Sequence, residues 1–183
     1  MHWENLQKQF IAYLRTEKGL SENSCIAYRQ DLAKLIDYSI PRGLSPDHVS
    51  TEDLKNFVAL LYDFGLSPRS QARIISGVKQ FYGFLIMERM ISQDPSELLE
   101  QPKLGRKLPA VLDIEEIDAL IAAVDVSKAE GHRNRAILEM LYSCGIRVSE
   151  LVNLKLSDLF FEEGFIRVIG KGNKERLVPV AIS

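Results

Sequence analysis

Three groups of residues in this chain have types and spacings that can do chemistry. Lys171, Lys174 and Arg176 fall within six residues around a Gly-Lys-Gly-Asn-Lys run, with Glu175 the one acid beside them and Arg167 shortly before. A lysine between glycines on a tight turn reaches far from the backbone, into a groove or a site, although such a run is also an ordinary solubilising surface turn. Arg147 sits among Leu141, Ile146, Val148, Leu151 and Val152, company in which an arginine usually has a partner. Glu150, three residues on, supplies one by helical spacing. Two readings stay open: a structural pair with Glu150, or a guanidinium aimed at an anion from the start of a short helix. The third group lies in a stretch without acids, between Asp63 and Glu88. At about 100° per residue, Arg69, Arg73, Ser76 and Gln80 share one face, bordered by Ser70 and Lys79. Ile74, Ile75, Val78, Phe81, Tyr82 and Leu85 take the opposite face. A face of donors without carboxylates suits a phosphate backbone or base edges. It equally describes a plain solvated helix face.

The elements that must position these groups are punctuated clearly. Leu6, Phe10 and Leu14 recur at helical spacing; Gly19 stops that helix and Ser21 caps the next, whose stripe is Tyr28, Leu32, Leu35 and Ile36. After the turn at residues 39–43, a third helix begins at Ser50 or Thr51 with Leu54, Phe57, Val58, Leu61 and Phe64 inward. Gly65 ends it, and Ser67-Pro68 starts a fourth that runs to about Met90. Residues 101–109, with prolines near both ends, read as a linker between a helical domain over 1–100 and a second domain over 110–183. In the second, Asp113 and Glu116 form a capping box ahead of Ile117, Leu120, Ile121 and Val124. A helix over about 133–142, a short one over 147–153 and a β-hairpin over FIRVIGKGNKERLVPV follow. The second domain is small for an independent core, and one bare hairpin is marginal without cover. Exposed apolar surface, or its burial against another copy of the chain, is therefore expected there.

Composition excludes several classes. The chain has 183 residues, 46% apolar and 26% charged, and a net charge of −2, which is globular and gives no basic excess overall. No apolar run has membrane-spanning length, and the polar start MHWENLQKQF is no signal peptide. Cys25 and Cys144 stand far apart in no metal-ligand spacing, so neither a disulfide framework nor a metal site is expected, and a reducing cytoplasm is.

Taken together, these segments resemble the tyrosine recombinases, the site-specific DNA integrases, and most closely the bacterial Xer type. YSCGIRVSELVNLKLSDL resembles the box around the family's first catalytic arginine, which puts that role on Arg147 with Glu150 as its supporting acid. VIGKGNKERLVPV resembles the hairpin that carries the catalytic lysine, which puts that role on Lys171. SPRSQARIISGVKQFYGFL and PKLGRKLP resemble the core-binding domain and its connection. The resemblance covers nearly the whole chain. It implies a mainly α fold: an N-terminal four-helix SAM-like core-binding bundle plus a partial α+β catalytic domain with one β-hairpin. It also implies DNA cleavage without metal or nucleotide cofactor. In that chemistry a tyrosine attacks the scissile phosphate, arginines clamp its non-bridging oxygens, and the hairpin lysine protonates the leaving 5′-oxygen. The expected partners are double-stranded DNA and other recombinase subunits. Arg69, Ser70, Arg73, Ser76, Lys79 and Gln80 are the expected DNA contacts, with Lys174 and Arg176 from the hairpin.

One departure is informative. All six tyrosines precede Arg147, and the family's second arginine box and its nucleophile follow the hairpin. His132 and Arg135 spell a literal H-x-x-R but lie upstream of Arg147, in the wrong order, and read as surface residues. The expectation is a C-terminally truncated recombinase that binds DNA without cutting it. The alternatives are a naturally shortened, non-catalytic regulator of recombination, or a helical protein-interaction module.

Overall fold

The computed structural model describes residues 1–105, 110–170 and 172–180, so Lys171 and residues 106–109 of the expected linker lie outside the described residues. The chain divides into two compact units, Met1–Lys107 and Leu108–Ser183.

The first unit is built from α1 (Trp3–Thr16), α2 (Glu22–Ser39), α3 (Thr51–Asp63) and α4 (Pro68–Met87). Each of the last three starts on a serine whose side chain accepts from the backbone three residues on: Ser21 from Ser24, Ser50 from Asp53 and Ser67 from Ser70. Asp53 returns the bond to Ser50, closing a capping box. The apolar stripes converge on an aromatic centre. Phe10, fully buried, meets Tyr28, Phe81 and Phe84 with centroids 5.6–6.1 Å apart. Trp3 stacks on Phe81 and donates from Nε1 to the Leu44 carbonyl at 2.8 Å, tying the chain start to the turn after α2.

Two details differ from the sequence expectation. Phe64 points outward and is 71% exposed. It is the residue after α3, and Gly65 at φ 70° turns the chain before Phe64 can reach the core. The fourth helix stops at Met87 rather than Met90. Arg89 takes φ 56°, and the Met90 amide turns back to the Leu85 carbonyl at 2.9 Å.

The second unit contains α5 (Ile114–Ala122), α6 (Gly131–Cys144), α7 (Val148–Val152), β1 (Leu159–Phe160), β2 (Phe165–Ile169) and β3 (Glu175–Pro179). The Asp113–Glu116 capping box forms as expected. The expected hairpin is β2–β3, but it is part of a three-stranded antiparallel sheet in the order β1-β2-β3. β1 has two residues, too few to show an alternation in sequence; Phe160 stacks on Phe165 across the pair at 4.9 Å. Ile166 and Val168 alternate inward and join Ile146 in a small core.

That core is thin. Among the described residues its fully sequestered apolar side chains are Ile146, Ile166 and Val168, against a cluster of 23 in the first unit. Val148, Val152, Leu156 and Leu120 are exposed. An open groove of about 1060 Å³ runs along α5 and α6, with Ile121, Ile137, Met140 and Leu154 in its wall. Among the described residues no helix is long and apolar enough to cross a membrane.

The contrast in burial sets an order of stability. Limited proteolysis of the chain is expected to trim residues 110–183 before it cuts within 1–100, as followed by mass spectrometry of the fragments. Equal resistance of both regions would show that the thin core is self-sufficient.

Candidate functional site

In the second unit the site is organised by a turn. α6 ends at Gly145, whose φ of 58° is left-handed and suits glycine. The reversal drops Ile146 into the core and leaves Arg147 as the residue that opens α7. Glu150 then lies one turn along, and its carboxylate accepts four hydrogen bonds. Oε1 takes Arg147 Nη1 at 2.9 Å and Arg176 Nη1 at 2.7 Å. Oε2 takes the Arg147 backbone amide at 2.9 Å and Arg176 Nη2 at 2.8 Å. Arg176 thus grips the acid with both arms of its fork, while Arg147 spends one guanidinium nitrogen and its backbone amide on it.

Exposure separates the acid from Arg147. The Glu150 side chain is 3% exposed and that of Arg147 is 69% exposed. The acid is structural and the guanidinium is presented outward. Of the apolar residues expected to pack around Arg147, Ile146 is buried and Leu141 and Leu151 are half-buried against the same core, whereas Val148 and Val152 face solvent. The donors also fix the charge. Hydrogen bonds from Arg176, then from the Arg147 amide, hold the Glu150 carboxyl at about 2, against 4.5 for an ordinary glutamate.

Strand register decides which arginine reaches Glu150. Val168 pairs with Arg176 and Arg167 with Leu177, so Arg176 lies on the face of the buried Ile166 and Val168. That face packs toward α7. Arg167 leaves from the other face and donates through Nε and Nη2 to Asp158 at 3.0 and 2.7 Å. Arg167 is therefore not part of the turn cluster that its sequence position suggests. The hairpin closes with the Gly170 amide donating to the Lys174 carbonyl at 2.7 Å, and Gly172 and Asn173 both have positive φ. Lys174 is exposed. A Cβ on Gly170 would lie 3.2 Å from Arg176 Nη1 and 3.4 Å from Glu150 Oε1. Glycine here lets the hairpin backbone come against the Arg147–Glu150–Arg176 cluster, at the residue just before Lys171.

In the first unit, α4 carries Arg69, Arg73, Ser76 and Gln80 in an i, i+4, i+7, i+11 row, as expected. Arg69, Arg73 and Gln80 are exposed, and Ser70 and Lys79 are half-buried on the borders. Ser76 Oγ accepts from Gln101 at 2.9 Å and Lys79 donates to the Glu97 carbonyl at 3.2 Å. The face is not free of carboxylates, however. Arg73 Nη1 donates at 2.7 Å to Asp31, which arrives from α2. His132 and Arg135, set aside on sequence order, are exposed, and Arg135 pairs with Glu139 along the helix.

Residues 8–89 match the model of the phage integrase N-terminal SAM-like domain, and residues 110–183 match that of the phage integrase family. The chain belongs to the tyrosine recombinase family. This recombinase-family chain is 41% identical over 178 residues to the tyrosine recombinase XerD of Staphylococcus aureus, an alignment that covers 97% of the chain and 60% of the relative. The corresponding protein of Staphylococcus haemolyticus is 39% identical over the same length. In fold, the recombinase-family chain is similar to a lambda integrase solved as a tetramer bound to a Holliday junction, with a TM-score of 0.75 at 20% identity over 98% of this chain and 51% of that one. The chain spans about 60% of the length of the curated relatives it matches.

Two site residues escaped the sequence reading in their actual role. Arg176, expected as a DNA contact, also holds Glu150 with both arms of its fork; the signal for that second role was its even spacing from Val178, which puts both on one sheet face. Asp31 gave no local signal, being 42 residues from Arg73.

The depressed ionisation of Glu150 has a definite sign. A carboxyl whose folded value lies below its unfolded one stabilises the fold above pH 4.5, and loses that contribution as pH falls toward about 2. Glu150→Gln should therefore lower the amide-exchange protection of Ile166 and Val168 at neutral pH. It should also flatten their loss of protection across that acid window, leaving the parts due to Asp158 and Asp125, the other depressed carboxyls of this unit among the described residues. An unaltered acid profile would show that the carboxylate charge is not what holds α7 to the sheet.

Proposed function

We propose that this chain is the DNA-gripping N-terminal portion of a site-specific tyrosine recombinase, and that it brings Arg147 and Lys171 to a single phosphodiester. One observation carries the reading. Glu150 holds Arg147 through Nη1 and its amide, and the hairpin backbone at Gly170 closes on that same carboxylate. The arginine and the residue next to the lysine thus share one anchor. A guanidinium with one nitrogen committed and the rest exposed can donate to the non-bridging oxygens, where charge builds in the transition state. An ammonium on a flexible stem follows the leaving 5′-oxygen and gives it a proton. No cofactor enters this scheme.

The first unit supplies the grip. The α4 row of Arg69, Arg73 and Gln80 with Ser76 offers donors to phosphates and base edges, and Ser70, Lys79 and, from the hairpin, Lys174 add to it. Further recombinase subunits on the same DNA are part of the proposal, by analogy with the lambda integrase tetramer, and the setting is the cytoplasm. No tyrosine follows Arg147 within these 183 residues. The 183-residue polypeptide by itself binds duplex DNA and does not cut it.

Two measurements check this. Incubation with a duplex that carries a recombination site, followed by denaturing electrophoresis, should give no covalent protein–DNA adduct; an adduct would reveal a nucleophile among these residues. Affinity for duplex DNA should fall linearly on a log–log plot against salt. Replacing Arg69 and Arg73 together by alanine should reduce that slope by roughly 1–2, at about 0.9 for each phosphate no longer neutralised. An unchanged slope would favour a protein-interaction role for the helical unit.

A further inference from the structure

A buried acid stands beneath the donor face of α4. Asp31 lies on α2 between core positions, and its side chain is 3% exposed. Its Oδ2 accepts from Arg73 Nη1 at 2.7 Å, and its Oδ1 has no hydrogen-bond partner. Gly77, one turn beyond Arg73, makes the approach feasible. A Cβ there would sit 3.2 Å from Asp31 Cβ and 3.7 Å from Tyr28 Cδ1. The helices are thus in close contact where the acid reaches the arginine.

A pair of this kind is a poor way to gain stability. Desolvation opposes the charge, and half of the carboxylate is unsatisfied. Burial raises the Asp31 carboxyl above its ordinary range although Arg73 and Lys34 both pull it down. Its effect on Arg73 is better defined. The guanidinium is 52% exposed, on a helix face that itself carries no carboxylate, and Nη1 is turned inward to the acid. Nε and Nη2 remain for an incoming group, in one orientation. The anion beneath them offsets part of the positive charge that a phosphate would meet.

We propose that Asp31 is a positioning residue for Arg73: a built-in counter-anion that fixes the direction of the guanidinium on α4 and tempers its attraction for DNA phosphates. This rests on the reading of α4 as the DNA-facing surface. It makes that surface less adhesive to arbitrary DNA than its arginines alone would, while leaving Arg73 aimed.

A double-mutant cycle on the full 183-residue chain tests it. Wild type, Asp31→Asn, Arg73→Ala and the double variant are titrated with a random-sequence duplex of about 30 base pairs over a range of salt. Asp31→Asn keeps the shape of the side chain and strands no buried charge, because Arg73 is half exposed. Asp31→Ser serves as a second variant, and Trp3 fluorescence, which reports on the core of the first unit, identifies the folded ones. Asp31→Asn should bind several-fold more tightly at low salt, with a slope steeper by up to about 0.9, one additional phosphate's worth. In the Arg73→Ala background the same change should do nothing. Equal effects in both backgrounds, or none in either, would overturn the inference and leave Asp31 a helix-packing residue. If Arg73→Ala itself leaves affinity and slope at wild-type values, the DNA-facing reading of α4 fails, and this inference falls with it.

Discussion

A carboxylate with four donors is the constraint on which the second unit depends. Glu150 is removed from water, so its charge must be met in place, and three nitrogens of two guanidinium groups and one backbone amide meet it. Every one of those donors comes from an element that has to be somewhere in particular. The Arg147 amide requires the left-handed turn at Gly145. The Arg176 fork requires the β2–β3 pairing. The gap for the hairpin backbone requires Gly170 to lack a side chain. A lysine at position 176 would supply a point charge but not the two parallel bonds, and Oε2 would lose one of its donors.

The two units solve stability differently. The helical unit has capped helices, a dense aromatic centre and a large buried cluster, the features of a domain that folds on its own contacts. Among the described residues the second unit buries few apolar side chains and adds ion pairs between its elements, Glu150 with two arginines and Asp158 with Arg167. Hydrophobic contact tolerates small shifts, whereas bidentate pairs do not. A unit pinned this way keeps its site geometry despite a thin core, and its exposed α5–α6 groove marks where additional apolar cover would add most.

Much of this was legible from residue order alone, where the physics is local. Serine caps, the Asp113–Glu116 box, the stop at Gly65 and the Arg147–Glu150 pair all act within one helical turn. The hairpin could be read because strand-formers flank a glycine-rich turn. What stayed hidden acts across the fold. Asp31 carries no local signal in the sequence, and only the packing of α2 on α4 brings it to Arg73. Arg176 and Arg167 look like members of one basic cluster, and the sheet separates them by sending alternate residues to opposite faces. Phe64 keeps helical spacing with Leu61 yet lies just past the last turn, where the chain has already changed direction.

That alternation carries one more consequence. Should β3 slide by a single residue against β2, Arg176 would swing away from Glu150 and the partners across the sheet would exchange sides. The acid would be stranded in a dry setting, with half its donors gone. Misaligned hairpins are therefore penalised electrostatically, at the same place where the aligned one brings Gly170 against Glu150. Correct strand alignment and the assembly of the Arg147–Glu150–Arg176 cluster are, in this protein, the same event.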